Sequence, residues 1–314
     1  MLSLISLFVL AGCGDDPKDT GGSESSTAED TASTNTGDDG GTSETTLPDP
    51  APLAELSDGD CPDMTSSGSR MSFSSSGVTR EVITLLPDTL TEDMPVVFVW
   101  HPLGGDANYM VNAFGLESWA NEYGAVIIVP ESEPSNLLEW DFWNDEEDDL
   151  IFYDDLRSCA ADQLDVDLSR VSAFGFSAGG LWASRLTIER GDTLSTAVIA
   201  SGGCELELPT GIAYVDCEAP AHDFPALTMW GGENDTYGIA GVYVYFSESM
   251  ANYRELLVEN DHYVVSCDHG AGHTIPGAMA SPIAEWLMSH TYGAASPYAA
   301  SGIGDFPDYC WVEE

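Results

Sequence analysis

Apolar residues between positions 80 and 290 alternate between short, nearly uninterrupted runs and segments in which they recur at helical spacing. Residues 96–100, 125–129 and 196–200 form such runs, which is the pattern of strands that are buried on both faces. Residues 150–164 show the helical spacing instead. Repeated strand–helix units of this length predict an α/β fold with a mostly parallel central sheet and helices on both faces.

The same patterns locate the remaining elements. The other predicted strands are residues 82–86, taken as an edge strand, then 171–176, 226–230 and 263–267. The predicted helices are residues 108–121, 150–163, 178–189, 247–258 and 282–290. All of them fall within residues 61–314, which we predict to be one catalytic domain.

The chain begins with a short apolar run, residues 2–11, that ends in Leu10-Ala11-Gly12-Cys13. A bilayer span needs about 20 apolar residues, so the run is typical of a signal-peptide core. The four residues resemble the lipobox of bacterial lipoproteins, although no Lys or Arg precedes the run. We expect residues 1–13 to be a lipoprotein signal segment with Cys13 as the lipidation site. The alternative is a cysteine that happens to follow an ordinary signal peptide.

Residues 14–60 consist almost wholly of Gly, Ser, Thr, Asp, Glu and Pro, with no aromatic residue and with 13 acidic residues against one basic. Such a segment cannot bury enough apolar area to offset the entropy of ordering it. We therefore predict a disordered acidic tether. Together with a lipidated Cys13, it predicts an exported protein that is anchored to the bacterial outer membrane or cell surface, or secreted.

The whole chain of 314 residues is strongly acidic, with 54 Asp and Glu against 8 Lys and Arg and a net charge of -46. A nucleic-acid partner is excluded, because neutralising phosphates requires clusters of basic side chains. Docking on anionic lipid through a basic patch is disfavoured for the same reason. Contact with a membrane is expected through the lipid anchor only.

Six cysteines remain after Cys13, an even number that predicts three disulfides in an exported chain, with fifteen possible pairings. They are Cys61, Cys159, Cys204, Cys217, Cys267 and Cys310. Cys204 and Cys217 are close in sequence, so we expect them to close a local loop. Cys61 and Cys310 bracket the domain, and a bond between them would tie its ends together.

The strongest chemical signal is Gly175-Phe-Ser-Ala-Gly-Gly180, a G-x-S-x-G motif between a predicted strand and a predicted helix. A tight turn in this context exposes the serine oxygen above the sheet, and small neighbours let the strand and the helix approach each other. The helix N-terminus also favours developing negative charge. We therefore predict Ser177 as a nucleophile, which needs a base and an orienting acid.

The base is expected downstream of the serine, after the acid. His273 lies in a Gly-rich loop after the last predicted strand, where it can reach back over the carboxyl edge of the sheet. His269 is the main alternative, and its spacing from His273 would also fit a metal pair, although no helix holds the two. His222 and His290 are expected at the surface.

The acid should follow the strand at residues 226–230. Asp235 is the preferred candidate there and Glu233 the alternative. The reaction also needs an oxyanion hole, for which one donor is the backbone N–H of Ala178, the residue after the nucleophile. The other is expected from the loop after residues 96–100, where Leu103 is the candidate donor, because Pro102 has no N–H.

These stretches together resemble α/β-hydrolases of the extracellular polyhydroxybutyrate depolymerase and feruloyl esterase type. The resembling segments are His101-Pro-Leu-Gly-Gly-Asp-Ala, Asp148-Asp-Leu-Ile-Phe, the fourteen residues from Asp167 to Gly180, Gly231-Gly-Glu-Asn-Asp and Gly272-His-Thr-Ile-Pro-Gly. The resemblance implies the α/β-hydrolase fold, a triad of Ser177, Asp235 and His273, and an oxyanion hole at Leu103 and Ala178. The family usually has Gly where Pro102 stands.

The sequence thus predicts an exported, lipid-anchored serine hydrolase of carboxylic esters that uses no cofactor and no metal. Its substrate would be a small-molecule or polymeric ester, of the polyhydroxyalkanoate, feruloyl or acetyl kind. One alternative is a serine peptidase of the same fold. Another is a surface-binding module whose site has decayed, which an intact Ser, Asp and His argue against.

Overall fold

The central element is a nine-stranded sheet in the order β1-β2-β4-β3-β5-β6-β7-β10-β11, seen in a computed structural model. The structure describes residues 46–133, 135–136, 138–143, 146–205, 216–239 and 242–314. Over these residues the strands are β1 (Arg70–Ser75), β2 (Val78–Leu85), β3 (Met94–Trp100), β4 (Val126–Pro130), β5 (Val166–Phe176), β6 (Thr196–Ala200), β7 (Ala226–Trp230), β8 (Thr236–Ile239), β9 (Val242–Tyr245), β10 (Val264–Asp268) and β11 (Cys310–Val312). The strands from β4 to β10 in this order run parallel, and β1, β2 and β11 are antiparallel to their neighbours.

Helices cover both faces of the sheet, as the sequence predicts. They are α1 (Ala107–Phe114), α2 (Leu116–Tyr123), α3 (Asp148–Gln163), α4 (Ala178–Arg190), α5 (Phe246–Glu259), α6 (Ala280–Ser289) and α7 (Pro297–Ser301). Alternation along β3 sends Phe98 into the core under α3, α4 and α5 and Val97 into the core under α1, α2 and α6. Both side chains are fully buried, so the strands are apolar on both faces.

Several elements differ from the sequence prediction. The helix expected at 108–121 is two helices, because Gly115 adopts a left-handed backbone with φ 64° between them. The strand expected at the edge is the second strand, since β1 pairs along its outer side. The antiparallel hairpin of β8 and β9 and the edge strand β11 were not predicted.

A compact unit begins at Thr46, before the domain boundary that the sequence predicts. The Ser57 N–H and hydroxyl donate to the buried Asp155 carboxylate at 3.0 and 2.5 Å. The Arg157 guanidinium donates to the carbonyl of Ala51 at 2.7 Å. These hydrogen bonds hold residues 51–57 against α3. The part of the predicted tether that contains these residues therefore belongs to the folded domain. The predicted signal segment with Cys13, and the tether up to residue 45, lie outside the described residues.

The six cysteines form three disulfides. They are Cys61–Cys159, Cys204–Cys217 and Cys267–Cys310. The expected local loop of Cys204 and Cys217 is present, but the Cys61–Cys310 pairing is wrong. The reason is the edge strand β11, whose register sets Cys310 directly opposite Cys267 on β10. In the described part of the chain, no helix combines the length and apolarity needed to cross a membrane.

Candidate active site

Ser177 sits at a sharp turn between β5 and α4, with φ 59° and ψ −120°. Such a conformation is unfavourable for a non-glycine residue and persists only where its surroundings enforce it. A Cβ at Gly175 would overlap the backbone of Gly179, and a Cβ at Gly179 would overlap the carbonyl of Trp100. The glycines of the motif therefore allow α4 to start directly above the sheet, and the turn presents the serine hydroxyl there.

His273 lies in the loop after β10 and contacts the serine. Its Nε2 is 2.8 Å from Ser177 Oγ, and its Nδ1 is 2.7 Å from Asp235 Oδ1. The rings of Phe246 and Phe176 stack on the imidazole with centroid distances of 4.7 and 5.0 Å. These contacts hold the ring in the plane that joins the hydroxyl to the carboxylate.

Asp235 is fully buried in the turn that follows β7. Its Oδ2 accepts hydrogen bonds from the Ser201 hydroxyl and the Gly231 N–H, both at 2.8 Å. With His273 on the other oxygen, the carboxylate is held by three donors, as a buried charge requires. The alternative acid, Glu233, is exposed and makes no such contact in the described structure. Ser201 was not singled out from the sequence, although it directly follows β6 at this edge of the sheet.

The other histidines lie elsewhere. His269, the alternative base, accepts a hydrogen bond from the Ala271 N–H on Nδ1 at 3.2 Å, and burial lowers its pKa. His222 stacks on Tyr292. His290 was expected at the surface but is buried, since it is bonded to the Trp286 carbonyl and the Ser296 hydroxyl. Within the described segments, no three His, Cys, Asp or Glu side chains are arranged to hold a metal ion.

The two predicted oxyanion donors come from the start of α4 and from the loop between β3 and α1. Ala178 is the first residue of α4, so its N–H has no partner within the helix. Leu103 lies in a turn closed by the Gly105 N–H, which donates to the Pro102 carbonyl at 2.8 Å. The half-buried Leu103 side chain packs on the core, which fixes the position of this turn relative to the sheet.

His101, which directly precedes that turn, is buried. His101 accepts a hydrogen bond on Nε2 from the Ser132 N–H at 3.2 Å, so its ring proton is on Nδ1. The Trp140 indole N–H donates to the His101 carbonyl at 2.9 Å. Trp140 and Phe142 are buried in the core, so their rings are not available to stack on a substrate. Trp143 is half-buried.

The acidic first turn of α3 also contributes to the core. Asp149 lies in the first turn of α3 and forms a fully buried ion pair with Arg80 at 2.8 Å. Burial raises the pKa of this carboxyl, and the attraction of Arg80 opposes that rise. Asp149 Oδ2 also accepts the Asp141 N–H at 2.7 Å, so it fixes the segment that carries Trp140.

A cleft of about 190 Å³ opens beside His273, between α1 and the loop before α6. Its lining includes the side chains of Tyr109, Phe114, Phe176, Ile275 and Pro276, and polar and apolar atoms share its surface about equally. A neutral group with an apolar or aromatic part and a few hydrogen-bonding atoms fits such a space.

Comparison with known proteins finds partial relatives. No family model matches the chain. Feruloyl esterase B of Thermothelomyces thermophilus is 30% identical over 128 residues, which cover 38% of this chain and 44% of the relative. Feruloyl esterase D of Neurospora crassa is 24% identical over 148 residues, which cover 43% of this chain and 49% of the relative. The chain therefore spans less than half the length of these curated relatives.

Solved structures match more of the chain. A variant of pOPH in complex with DMSO superposes with a TM-score of 0.66 at 16% identity, covering 81% of this chain and 95% of that one. An esterase of Pyrobaculum calidifontis gives 0.52 at 18% identity, covering 70% and 84%. At this identity the likeness concerns the fold, and it confirms the α/β-hydrolase fold that the sequence predicts.

Proposed function

We propose that this chain is a serine hydrolase that cleaves carboxylic esters. The observation that carries the proposal is the contact chain from the Ser177 hydroxyl through His273 to the buried Asp235. These are the three groups that acyl transfer needs, in the required order along one line of hydrogen bonds. Two relatives named as feruloyl esterases support the same reaction class.

In the proposed mechanism Ser177 Oγ attacks the ester carbonyl while His273 Nε2 accepts its proton. The Ala178 and Leu103 N–H groups stabilise the oxyanion of the tetrahedral intermediate. Collapse breaks the bond to the alcohol, which leaves with the proton from His273 and gives an acyl-enzyme. Water then attacks the acyl carbon with His273 as base, which releases the acid and restores the serine.

Asp235 would orient and stabilise the imidazole during both half-reactions. Its Oδ1 accepts the Nδ1–H of His273, so Nε2 is left free to accept the serine proton. Because the carboxylate is buried, its attraction for the imidazolium is screened little by water. Glu233 and His269 have no role in this scheme.

For the substrate we propose a neutral ester with an apolar or aromatic group, of the feruloyl, acetyl or polyhydroxyalkanoate kind. The cleft beside His273 has apolar and aromatic side chains in its walls, and the net charge of the chain, -46, disfavours anionic substrates. The names of the two curated relatives favour an aromatic acyl group.

For localisation we propose export and anchoring through a lipidated Cys13. The lipobox-like sequence and the three disulfides support this, because disulfides persist in oxidising compartments. Wild-type protein should then fractionate with membranes, and Cys13→Ser should release it. Wild-type protein that is soluble and without lipid would contradict the anchor and leave the catalytic proposal untouched.

The experiment for the catalytic proposal uses short-chain nitrophenyl esters beside a peptide anilide, with wild type and Ser177→Ala. We expect ester hydrolysis that is lost in the variant, whose fold is checked by circular dichroism. Preferred hydrolysis of the anilide would identify a peptidase instead. A folded wild type that turns over neither substrate would favour a binding module.

A further inference from the structure

Glu139 has an unusual backbone for its residue type. Its φ is 72°, in the left-handed region that a long side chain rarely adopts. Such a conformation costs free energy, so the surroundings must hold it in place. Its neighbour Trp140 does part of this, because the buried indole is bonded to the His101 carbonyl at 2.9 Å. The strain is therefore located next to the turn that carries Leu103.

The Glu139 carboxylate reaches this turn directly. Its Oε1 accepts the Gly104 N–H at 2.9 Å, and its Oε2 lies 3.4 Å from His101 Nδ1, whose N–H donates to the Pro102 carbonyl at 3.1 Å. Among the described residues, no hydrogen-bond donor reaches Oε2, which is buried. The Glu139 side chain thus approaches both His101, which directly precedes the turn, and Gly104, which lies within it.

The Gly104 contact selects one of two turn conformations. The turn runs from Pro102 to Gly105, and its third residue, Gly104, has φ 75°, which is the signature of a type II turn. Type I and type II turns differ by a flip of the central peptide, which here joins Leu103 to Gly104. The N–H of that peptide is the group that Glu139 binds, so a flip would break the bond.

We propose that Glu139 is a positioning residue that anchors the chain on both sides of Leu103, at His101 and at Gly104, and thereby fixes where the Leu103 N–H lies. The inference rests on the proposed function, because the turn supplies one of the two proposed oxyanion donors. Glu139 touches neither the triad nor a substrate. It acts through the Gly104 peptide and the His101 ring, and its effect belongs to the transition state rather than to substrate binding.

The test compares Glu139→Gln, Glu139→Ala and Glu139→Gly by steady-state hydrolysis of a nitrophenyl ester. Gln keeps an oxygen for the Gly104 N–H, so its kcat should stay within about threefold of wild type. Ala and Gly remove the acceptor and should lower kcat by about tenfold to a hundredfold, with KM nearly unchanged, as small displacements of catalytic groups do. Affinity for a boronic acid, which forms a tetrahedral adduct, should fall in parallel with kcat/KM.

The glycine variant separates positioning from structural support. Glycine adopts φ 72° without strain, so Glu139→Gly should keep or raise the melting temperature while kcat falls. It also carries the test if Glu139→Ala folds poorly. Glu133→Gln, a change on the same segment, is the control and should leave both quantities unchanged.

A Glu139→Gly protein with wild-type kcat would overturn the inference, as would a rise in KM at constant kcat. A wild-type protein without esterase activity would remove the proposed function and this inference together. An active wild type with unaffected variants would remove the inference alone.

Discussion

The hydroxyl of Ser201 lies 2.8 Å from Asp235 Oδ2 and donates a hydrogen bond to it. Ser201 directly follows β6, and Asp235 lies in the turn after β7, so two neighbouring strands converge on one carboxylate. Both residues are buried. The bond fixes the oxygen that does not face His273, and it thereby fixes the direction of the one that does.

Ser201→Ala should therefore lower kcat without abolishing it. The carboxylate keeps the Gly231 N–H and the His273 ring, but it loses one of three donors, which corresponds to a loss of about tenfold. Steady-state kinetics on a nitrophenyl ester measure the effect. Ser195→Ala is the matched control, since this buried serine at the other end of β6 donates to the Val171 carbonyl instead. Equal effects of the two changes would contradict the assigned role.

His290 should make the stability of the fold fall in acid. Burial lowers its pKa from 6.5 to about 4. Between these values the unfolded chain binds a proton at this position and the folded chain does not, so acidification favours unfolding. The contribution is complete above pH 6.5 and falls by at most about 3 kcal/mol by pH 4.

Denaturant unfolding of wild type and His290→Gln at pH 7.5 and pH 4.5 checks this expectation. The variant cannot take up the proton, so its free energy of unfolding should change less between the two pH values. Parallel losses in the two proteins would show that other groups cause the acid sensitivity.

The three disulfides should differ in their contribution to stability. Cys61–Cys159 spans 98 residues and Cys204–Cys217 spans 13. In the loop-entropy model these correspond to about 5 and about 3 kcal/mol. Replacing Cys61 and Cys159 by serine should thus lower the free energy of unfolding by about 2 kcal/mol more than replacing the short pair.

Non-reducing peptide mapping provides the companion measurement. It should find Cys267 joined to Cys310 and Cys61 joined to Cys159. A Cys61–Cys310 peptide would contradict the register of β10 and β11. It would also remove the reason for ranking the pairs by loop length.

The buried parallel strands were predictable because both their faces are apolar. The bounds predicted for β6 and β7 agree with the structure, and Ser177, His273 and Asp235 lie together as the motif order requires. The edge strand β1 was missed because its sequence, RMSFSS, is half polar and only partly buried. No continuous apolar run marks such a strand.

Contacts between residues that are distant in the sequence could not be predicted from the local pattern of apolar and polar residues. Cys310 pairs with Cys267 only because β11 lies beside β10, and β11 has three residues. Asp149 belongs to an acidic stretch of the sequence, yet it is buried in an ion pair with Arg80, which lies on another element. The Glu139 carboxylate contacts the Gly104 N–H from a left-handed backbone conformation, which the residue type Glu does not predict.

If the proposed esterase binds its substrate in the cleft beside His273, the cleft should set the size of the group that is accepted. Ala113 lines it, so Ala113→Phe should narrow it and raise KM for a naphthyl ester by about tenfold, while an acetate ester is little affected. Ala299→Phe, on the exposed part of α7, is the control. Equal losses for both esters would show that the cleft does not bind substrate.

The most direct test of the account is covalent labelling of the folded protein with a fluorophosphonate, followed by peptide mass spectrometry. An activated serine is required for the reaction, so we expect one adduct, on the peptide that contains Ser177. The adduct should be absent in Ser177→Ala and form slowly in His273→Ala. Labelling at another residue, or a folded protein that takes up no label, would contradict the assignment of Ser177 as the nucleophile.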